Sequence, residues 1–440
     1  MILALVASLQ LAAGGASVPA GPASAPADSI PVVTLPEALR RATNLDPDYV
    51  AALRDVGDAA WVRRSAFSAF VLPSVEFQTT ATRFSTEIFN PGTNALTTRL
   101  VQSNLNASYD LFRGGARFFD LGRAKALQDR AREGERESLF ESALRTESDY
   151  YDVLAQKELR GVAAERVRRA EEQLTVARAR VLSGAAVQTD SLQLLLEATR
   201  ARVALLRQES ALTVARLQLG RRIGEPGPVD AAALDTTPAA ELPLTQEEAV
   251  HEAITASPRA LVARADERAA EAGLKSARGG YLPQVSLFGQ WTGFDESFFP
   301  TATTRTLYGL SVSVPIWNGA QRELAVYRAG TDREVSRARR RDEELAVARD
   351  MVEAYQAYTT ARASAGLARR SVLVARENLR VQEERYRSGA TTIIDLITAQ
   401  VSLAEAEADL VQARFATRLA FAGVEALLGR RLPLPRGGTG

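Results

Sequence analysis

The sequence predicts a mainly α-helical protein that is tandemly duplicated. Its long helices pack as a coiled coil, and four β-strands per chain close into a membrane barrel only when several chains combine. Three observations predict it. The halves of the chain repeat each other, each half holds a proline-free stretch of about 70 residues, and each half holds two segments of period-two alternation.

The repeat is read from four matches. Leu72-Pro73-Ser74-Val75 returns as Leu282-Pro283-Gln284-Val285, with the prolines 210 residues apart. Asp110-Leu111-Phe112-Arg113-Gly114-Gly115 returns as Pro315-Ile316-Trp317-Asn318-Gly319, with Phe112 and Trp317 205 residues apart. Arg180-Val181-Leu182-Ser183-Gly184 with Asp190 returns as Arg385-Tyr386-Arg387-Ser388-Gly389 with Asp395, again at 205. Leu219-Gly220-Arg221-Arg222 returns as Leu428-Gly429-Arg430-Arg431 at 209. Four matches in one order and at a nearly constant offset identify a duplication.

Each copy reads helix, strand, strand, very long helix, tight turn, helix. The first repeat spans 28–222. Its opening helix covers about 36–71, with Pro36 suited to a first turn, and Leu72-Pro73 stops it. Strands follow at about 73–84 and 100–112, where Val75, Phe77, Thr79 and Ala81, then Leu105, Ala107, Tyr109 and Leu111, alternate with polar residues. A long helix over 113–183 and a return helix over 189–221 complete the copy. The Pro/Ala/Thr/Gly-rich linker 223–243 is expected to cross the rod's middle irregularly. The second repeat, 244–432, has an opening helix at about 245–281 and strands at about 283–294 (Val285, Leu287, Trp291) and 305–317 (Leu310, Val312, Val314, Ile316). A long helix over 319–388 and a return helix over 392–429 follow, and the tail 433–440 is expected to be disordered.

At ~1.5 Å per residue, each ~70-residue helix makes a rod of roughly 105 Å. The two shorter helices of each copy sum to nearly that length, so they can stack end to end beside the long one. In the second return helix Leu403, Ala406, Leu410, Ala413, Thr417, Ala420, Val424 and Leu427 alternate steps of three and four, which is heptad spacing. Leu192, Leu196, Thr199, Val203, Leu206, Thr213 and Leu217 repeat the pattern in the first copy. Arg/Glu-rich stretches such as 165–172 and 339–344 are expected to be solvated helix faces.

Composition excludes most enzyme classes. Lys+Arg total 54 against Asp+Glu 53, a net charge of +1, so the electrostatic footing for nucleic acid is missing. With no cysteine and one histidine, His251, thiol chemistry, disulfides and a His metal cluster are excluded. No phosphate loop or nucleophile elbow occurs, so no catalytic residue, cofactor or metal is expected. Residues 1–27 outline a secretory signal peptide, with an apolar run too short to span a bilayer, no basic n-region, and Ala20 or Ala27 at the cleavage point. No later segment reaches ~18 apolar residues, so any membrane crossing is made by strands. Four strands cannot enclose a barrel, and strands in lipid tolerate no unpaired edge. Three chains would contribute ~12 strands, a size within the known range. Two half-buried soluble hairpins would show the same alternation.

On these residues the chain resembles the TolC family of outer-membrane efflux and secretion ducts, from about Leu35 to Leu432. The resemblance rests on the duplication, on Leu-Pro-x-Val opening a strand in both copies, and on Val314-Pro315-Ile316-Trp317-Asn318-Gly319. It rests also on the tip, which runs from Tyr386 through Gly389 to Asp395. It implies a homotrimer in the outer membrane with a 12-stranded barrel and a periplasmic helical tunnel. It further implies passive export of cargo received from an inner-membrane pump or type I secretion ATPase through a periplasmic adaptor. A periplasmic coiled-coil adaptor or scaffold without a barrel is the alternative.

The same resemblance places a periplasmic gate at Tyr386, Thr189, Asp190 and Asp395. Two positions depart from the family pattern: an arginine is replaced by Thr391, so the charged latch is either absent or formed by Arg387, and an acidic residue is replaced by Thr398. From the residues alone, Asp190 and Asp395 also suit helix N-caps, and Tyr386 suits packing of a last helical turn. Gly184 and Gly389 are the helix-reversal tips. Trp291 and Trp317 are either interfacial aromatics or packed side chains.

Overall fold

The computed structural model describes residues 30–184, 186–234, 241–296 and 303–433. The expected leader, 1–27, and residues 434–440 of the expected tail lie outside them. In chain order the elements are β1 (Val32–Val33), α1 (Leu35–Leu45), α2 (Pro47–Val71), β2 (Ser74–Asn90), β3 (Ala95–Arg113), α3 (Ala116–Leu182), α4 (Gln188–Ile223) and β4 (Asp230–Ala231). The second half contributes α5 (Gln246–Ala256), α6 (Pro258–Arg278), β5 (Gln284–Asp295), β6 (Thr303–Ser313), α7 (Gln321–Arg387) and α8 (Ile393–Leu428).

Both long helices have 67 residues, a length of about 100 Å at ~1.5 Å per residue. Shorter helices stack beside them. Along the half that ends at the tips, α4 packs on α3, α3 on α8, and α8 on α7. Along the half nearer the strands, the lateral order is α2, α3, α6, α7. The four long strands form one antiparallel sheet in the order β2-β3-β5-β6. All three tiers therefore end on one side in first-repeat elements (α2, α4, β2) and on the other in second-repeat elements (α7, β6).

Each opening helix is two helices, not the single one expected. Asp46 ends α1 and caps α2, its Oδ1 accepting from the backbone N–H groups of Asp48 (3.0 Å) and Tyr49 (3.4 Å). Ser257 caps α6 in the same way, accepting from Ala260 N–H at 3.3 Å. A proline follows each cap, Pro47 and Pro258. Its missing N–H cannot continue the preceding helix yet is harmless in a first turn.

β2 and β3 run further than expected, to Asn90 and from Ala95, past an irregularity between Arg83 and Ile88 that hides the alternation. A second register shift, between Asp110 and Phe112, takes Leu111 out of the ladder and sets Phe112 opposite Val285. β6 ends at Ser313, so Val314, Ile316 and Trp317 are not strand residues, Pro315 having no N–H to give the ladder. The linker is also less irregular than expected: Asp230 and Ala231 pair in parallel with Val32 and Val33, and the Tyr150 hydroxyl donates to the Ala232 carbonyl at 2.8 Å. This small sheet closes a buried cluster with Val153, Leu154, Leu212, Leu219, Ile223 and Phe415 at mid-rod.

The two heptad stripes have different fates. In α8, Leu403, Ala406, Thr417 and Val424 are buried, and the seam drifts to Val411, Phe415 and Leu428 as a straight helix departs from a strict heptad. In α4 the expected stripe faces away from α3. Leu192, Leu196, Val203, Leu206 and Leu217 are all exposed, and the contact with α3 is made by the opposite face, including Leu194, Ala198, Ala201, Leu212 and Ala215.

Near the end of α8 the Arg431 guanidinium lies 2.6 Å from both Glu147 and Glu425, carboxylates only 3% and 4% exposed. Burial raises the Glu147 carboxyl above its ordinary value, Arg431 opposes that rise, and Glu425 adds to it. Arg431→Met leaves two buried carboxylates without their cation and should cost about 3–5 kcal/mol. A raised folded-state pKa makes the contribution of Glu147 complete below its ordinary 4.5 and lost as pH rises through the raised value. The variant's deficit should therefore shrink as the pH is lowered from 8 toward 5, as read by thermal unfolding of the detergent-solubilised protein.

Candidate functional site

The tips are built by the turns α3–α4 and α7–α8. Gly184 and Gly389 hold φ of +74° and +77°, and nothing stands within 4 Å of where a Cβ would be, so the backbone angle alone demands glycine. Past the second turn, Thr392 and Asp395 form a reciprocal capping box. Asp395 Oδ2 accepts from Thr392 Oγ1 (2.7 Å), Thr391 Oγ1 (2.9 Å) and Thr392 N (3.2 Å). Those hydrogen bonds, Thr392 first, hold the exposed carboxyl below its ordinary range, with Arg385 adding to them. Asp395 is thus the third residue of α8 rather than its N-cap, and Thr391, at a position where the resemblance expects an arginine, feeds it a hydroxyl donor. Thr398 Oγ1 donates back to the Ile394 carbonyl at 2.8 Å.

Asp190 is likewise the third residue of α4, whose N-cap is Val187 with no side-chain capping bond. Tyr386 is only 6% exposed and packs among Leu174, Ala177, Leu194, Ile393 and Leu396. Arg180, which motif matching missed, sits over it: its guanidinium carbon is 5.1 Å from the ring centroid and Nη1 donates to the Tyr386 carbonyl at 3.0 Å. Burial, then the Asp190 carboxylate, raise the Tyr386 phenol above its ordinary range, while Arg180 opposes them. The hydroxyl itself is buried and has no hydrogen-bond partner among the described residues.

The fold therefore brings Tyr386, Asp190 and Arg180 together. Thr189 is exposed beside them. Arg387, the expected latch, points elsewhere: its Nη1 lies 3.1 Å from Glu384 Oε1 on the exposed flank of α7. The signal for Arg180 was in the duplication, since Arg385 is its counterpart 205 residues on. His251 is exposed on α5.

At the other end, Trp291 is half-buried in β5 between Leu105 and Thr306 of the adjoining strands. Trp317 is exposed in the segment between β6 and α7. The sheet has one apolar row (Val75, Phe77, Leu105, Leu287, Leu310, Val312) backed by a polar one (Glu76, Gln78, Asn104, Asn106, Gln290, Ser311). The profile of the outer membrane efflux protein family matches residues 42–225 and 249–430, one segment in each repeat. The chain belongs to that family.

It is an outer-membrane channel-tunnel for export, with its helical body extending into the periplasm. Solved channels share the fold. CusC, described in terms of its folding and transmembrane channel formation, superposes at a TM-score of 0.78 with 17% identity, over 90% of this chain and 92% of that one. The Campylobacter jejuni CmeC outer membrane channel gives 0.76 at 14% identity, over 91% and 87%. The open-state Neisseria gonorrhoeae MtrE outer membrane channel gives 0.76 at 17%, over 90% and 89%. No curated protein sequence matches the chain.

Two substitutions separate backbone from side-chain demands at the tips. Gly389→Ala should cost about 1–2 kcal/mol, the price of a left-handed residue with a Cβ. Tyr386→Phe should leave thermal stability unchanged or slightly raised, because it removes a buried hydroxyl that has no partner among the described residues. A marked loss of melting temperature in Tyr386→Phe would show that the hydroxyl is bonded in the assembled protein.

Proposed function

We propose that three copies of this chain close head to tail into a passive conduit. It would take cargo from an inner-membrane pump or type I secretion ATPase, through a periplasmic adaptor, to the cell exterior. The observation that supports this most is the coincidence of open edges. Among the described residues, β2 and β6 lack a paired strand on one side, and α2 and α4 on one flank and α7 on the other have no helix packed beyond them. The outward stripe of α4 (Leu192, Leu196, Val203, Leu206, Leu217) has a counterpart on α7, where Leu345, Val352, Leu367, Val374 and Val381 are exposed. Unlike surfaces on the two flanks make a heterologous contact, which yields a ring when the rotation closes. Three chains give ~12 strands, enough for a closed barrel. The match of the outer membrane efflux protein family to both repeats favours the conduit over an adaptor or scaffold.

In such a ring the tips converge on the axis. Three Asp395 carboxylates would then attract cations and repel anions, each anchored by its threonine hydroxyls. Tyr386 with Asp190 and Arg180 would hold the α7–α8 pair against the α3–α4 pair and so set the resting aperture. Single-channel recording in planar bilayers tests both roles. Asp395→Asn should reduce cation preference, and the wild-type preference should fade as acidification protonates the ring. Substituting Asp190 and Tyr386 singly and together should give non-additive changes in conductance, and strictly additive changes would remove that pair from the gate.

A further inference from the structure

Arg83 of β2 and Arg99 of β3 are direct cross-strand partners, the last pair before the ladder becomes irregular. Cβ atoms at such positions lie ~4.5–5.5 Å apart, and like charges placed there repel. Both arginines are exposed, and neither side chain has an ion pair or hydrogen bond among the described residues. The nearest acidic residue along β2, Glu87, lies beyond the irregularity and pairs with neither. On β5, Asp295 stands opposite Val101 and accepts from the Glu296 N–H.

Their place on the sheet is specific. By alternation they belong to the row of Val75, Phe77, Leu105 and Ala107, the apolar face, not to the polar face that carries Asn104 and Gln78. Arg83 is nine residues along β2 from Ser74, the first residue of the strand. At ~3.4 Å per residue and a tilt of ~35–45°, that is a rise of roughly 22–25 Å, about the height of the apolar band on an outer-membrane barrel. The pair therefore stands where acyl chains give way to head groups on the side away from the helices. β6, the strand that would meet β2 in a closed ring, contains no Asp or Glu.

We propose that Arg83 and Arg99 form a binding site for a phosphate group of an outer-leaflet glycolipid. Two guanidiniums side by side match the oxygens of a phosphate monoester, and the anion relieves the repulsion that the strand register imposes. A non-ionic detergent offers no anion, and a zwitterionic lipid offers only a phosphodiester already balanced by its own head-group cation. The site rests on the reading of the sheet as part of a closed membrane barrel.

Native mass spectrometry of the full chain, titrated with bisphosphorylated lipid A in a non-ionic detergent, tests it. Wild type should bind the lipid, and Arg83→Gln combined with Arg99→Gln should weaken binding by about tenfold or more. Dephosphorylated lipid A should bind wild type as weakly as the intact lipid binds the double variant. Equal binding by wild type and variant, equal binding of the dephosphorylated lipid, or displacement by millimolar inorganic phosphate alone would each overturn the proposal. The same spectra keep the two readings apart. A wild type that stays a single detergent-free chain defeats the barrel itself, whereas a detergent-bound assembly whose variant binds lipid A unchanged defeats only the phosphate site.

Discussion

An unpaired strand edge cannot persist in hydrocarbon, because no water is present to satisfy its N–H and C=O groups. This chain presents two such edges, β2 and β6, flanking a sheet of four strands. The rest of the architecture follows that constraint down the molecule. The helical tiers end in the same two flanks, with first-repeat elements on one side and α7 on the other. In the proposed assembly, closing the sheet would also cover the exposed apolar stripes of α4 and α7. Duplication supplies this arrangement economically, since one unit copied in tandem gives each chain two nearly equivalent halves.

The helical body meets a second constraint, length. Two 67-residue helices are matched along their whole extent by pairs of shorter helices laid end to end. The junctions need distinct chemistry because each exposes helix termini mid-rod. In the first repeat the β1–β4 pairing, Tyr150 and the Asp46 cap fill it. In the second, Ser257 caps α6, and the Arg431 clamp ties the end of α8 to α3. The Arg431 guanidinium there compensates two carboxylates that burial would otherwise leave without a counter-ion.

Much of this was legible in the residues. Proline-free runs and Leu-Pro stops are local signals, so the long helices and the starts of the strands were readable. The breaks at Pro47 and Pro258 were readable too, as cap-plus-proline pairs, but the periodicity on either side masks them. The two-residue strands β1 and β4 carry no alternation, and only tertiary contact creates them. The α4 stripe shows the deeper limit: a heptad says that a helix face is covered, not by which chain, and Leu206 faces outward where α8's Leu403 faces in. At the tips, motif matching found Tyr386 and Asp190 but chose Arg387 over Arg180, because the contact with Tyr386 crosses between the repeats.

The head-to-tail ring can be tested by covalent capture. The sequence has no cysteine, so Val203→Cys on α4 and Val374→Cys on α7 introduce the only thiols. Both residues are exposed, and counted from the tips they stand at nearly the same height. Treating outer membranes of cells making the double variant with a short thiol crosslinker should produce a product that stops at three chains, while each single variant yields none. Products that stop at one or two chains, or a ladder that continues past three, would contradict closure by this contact.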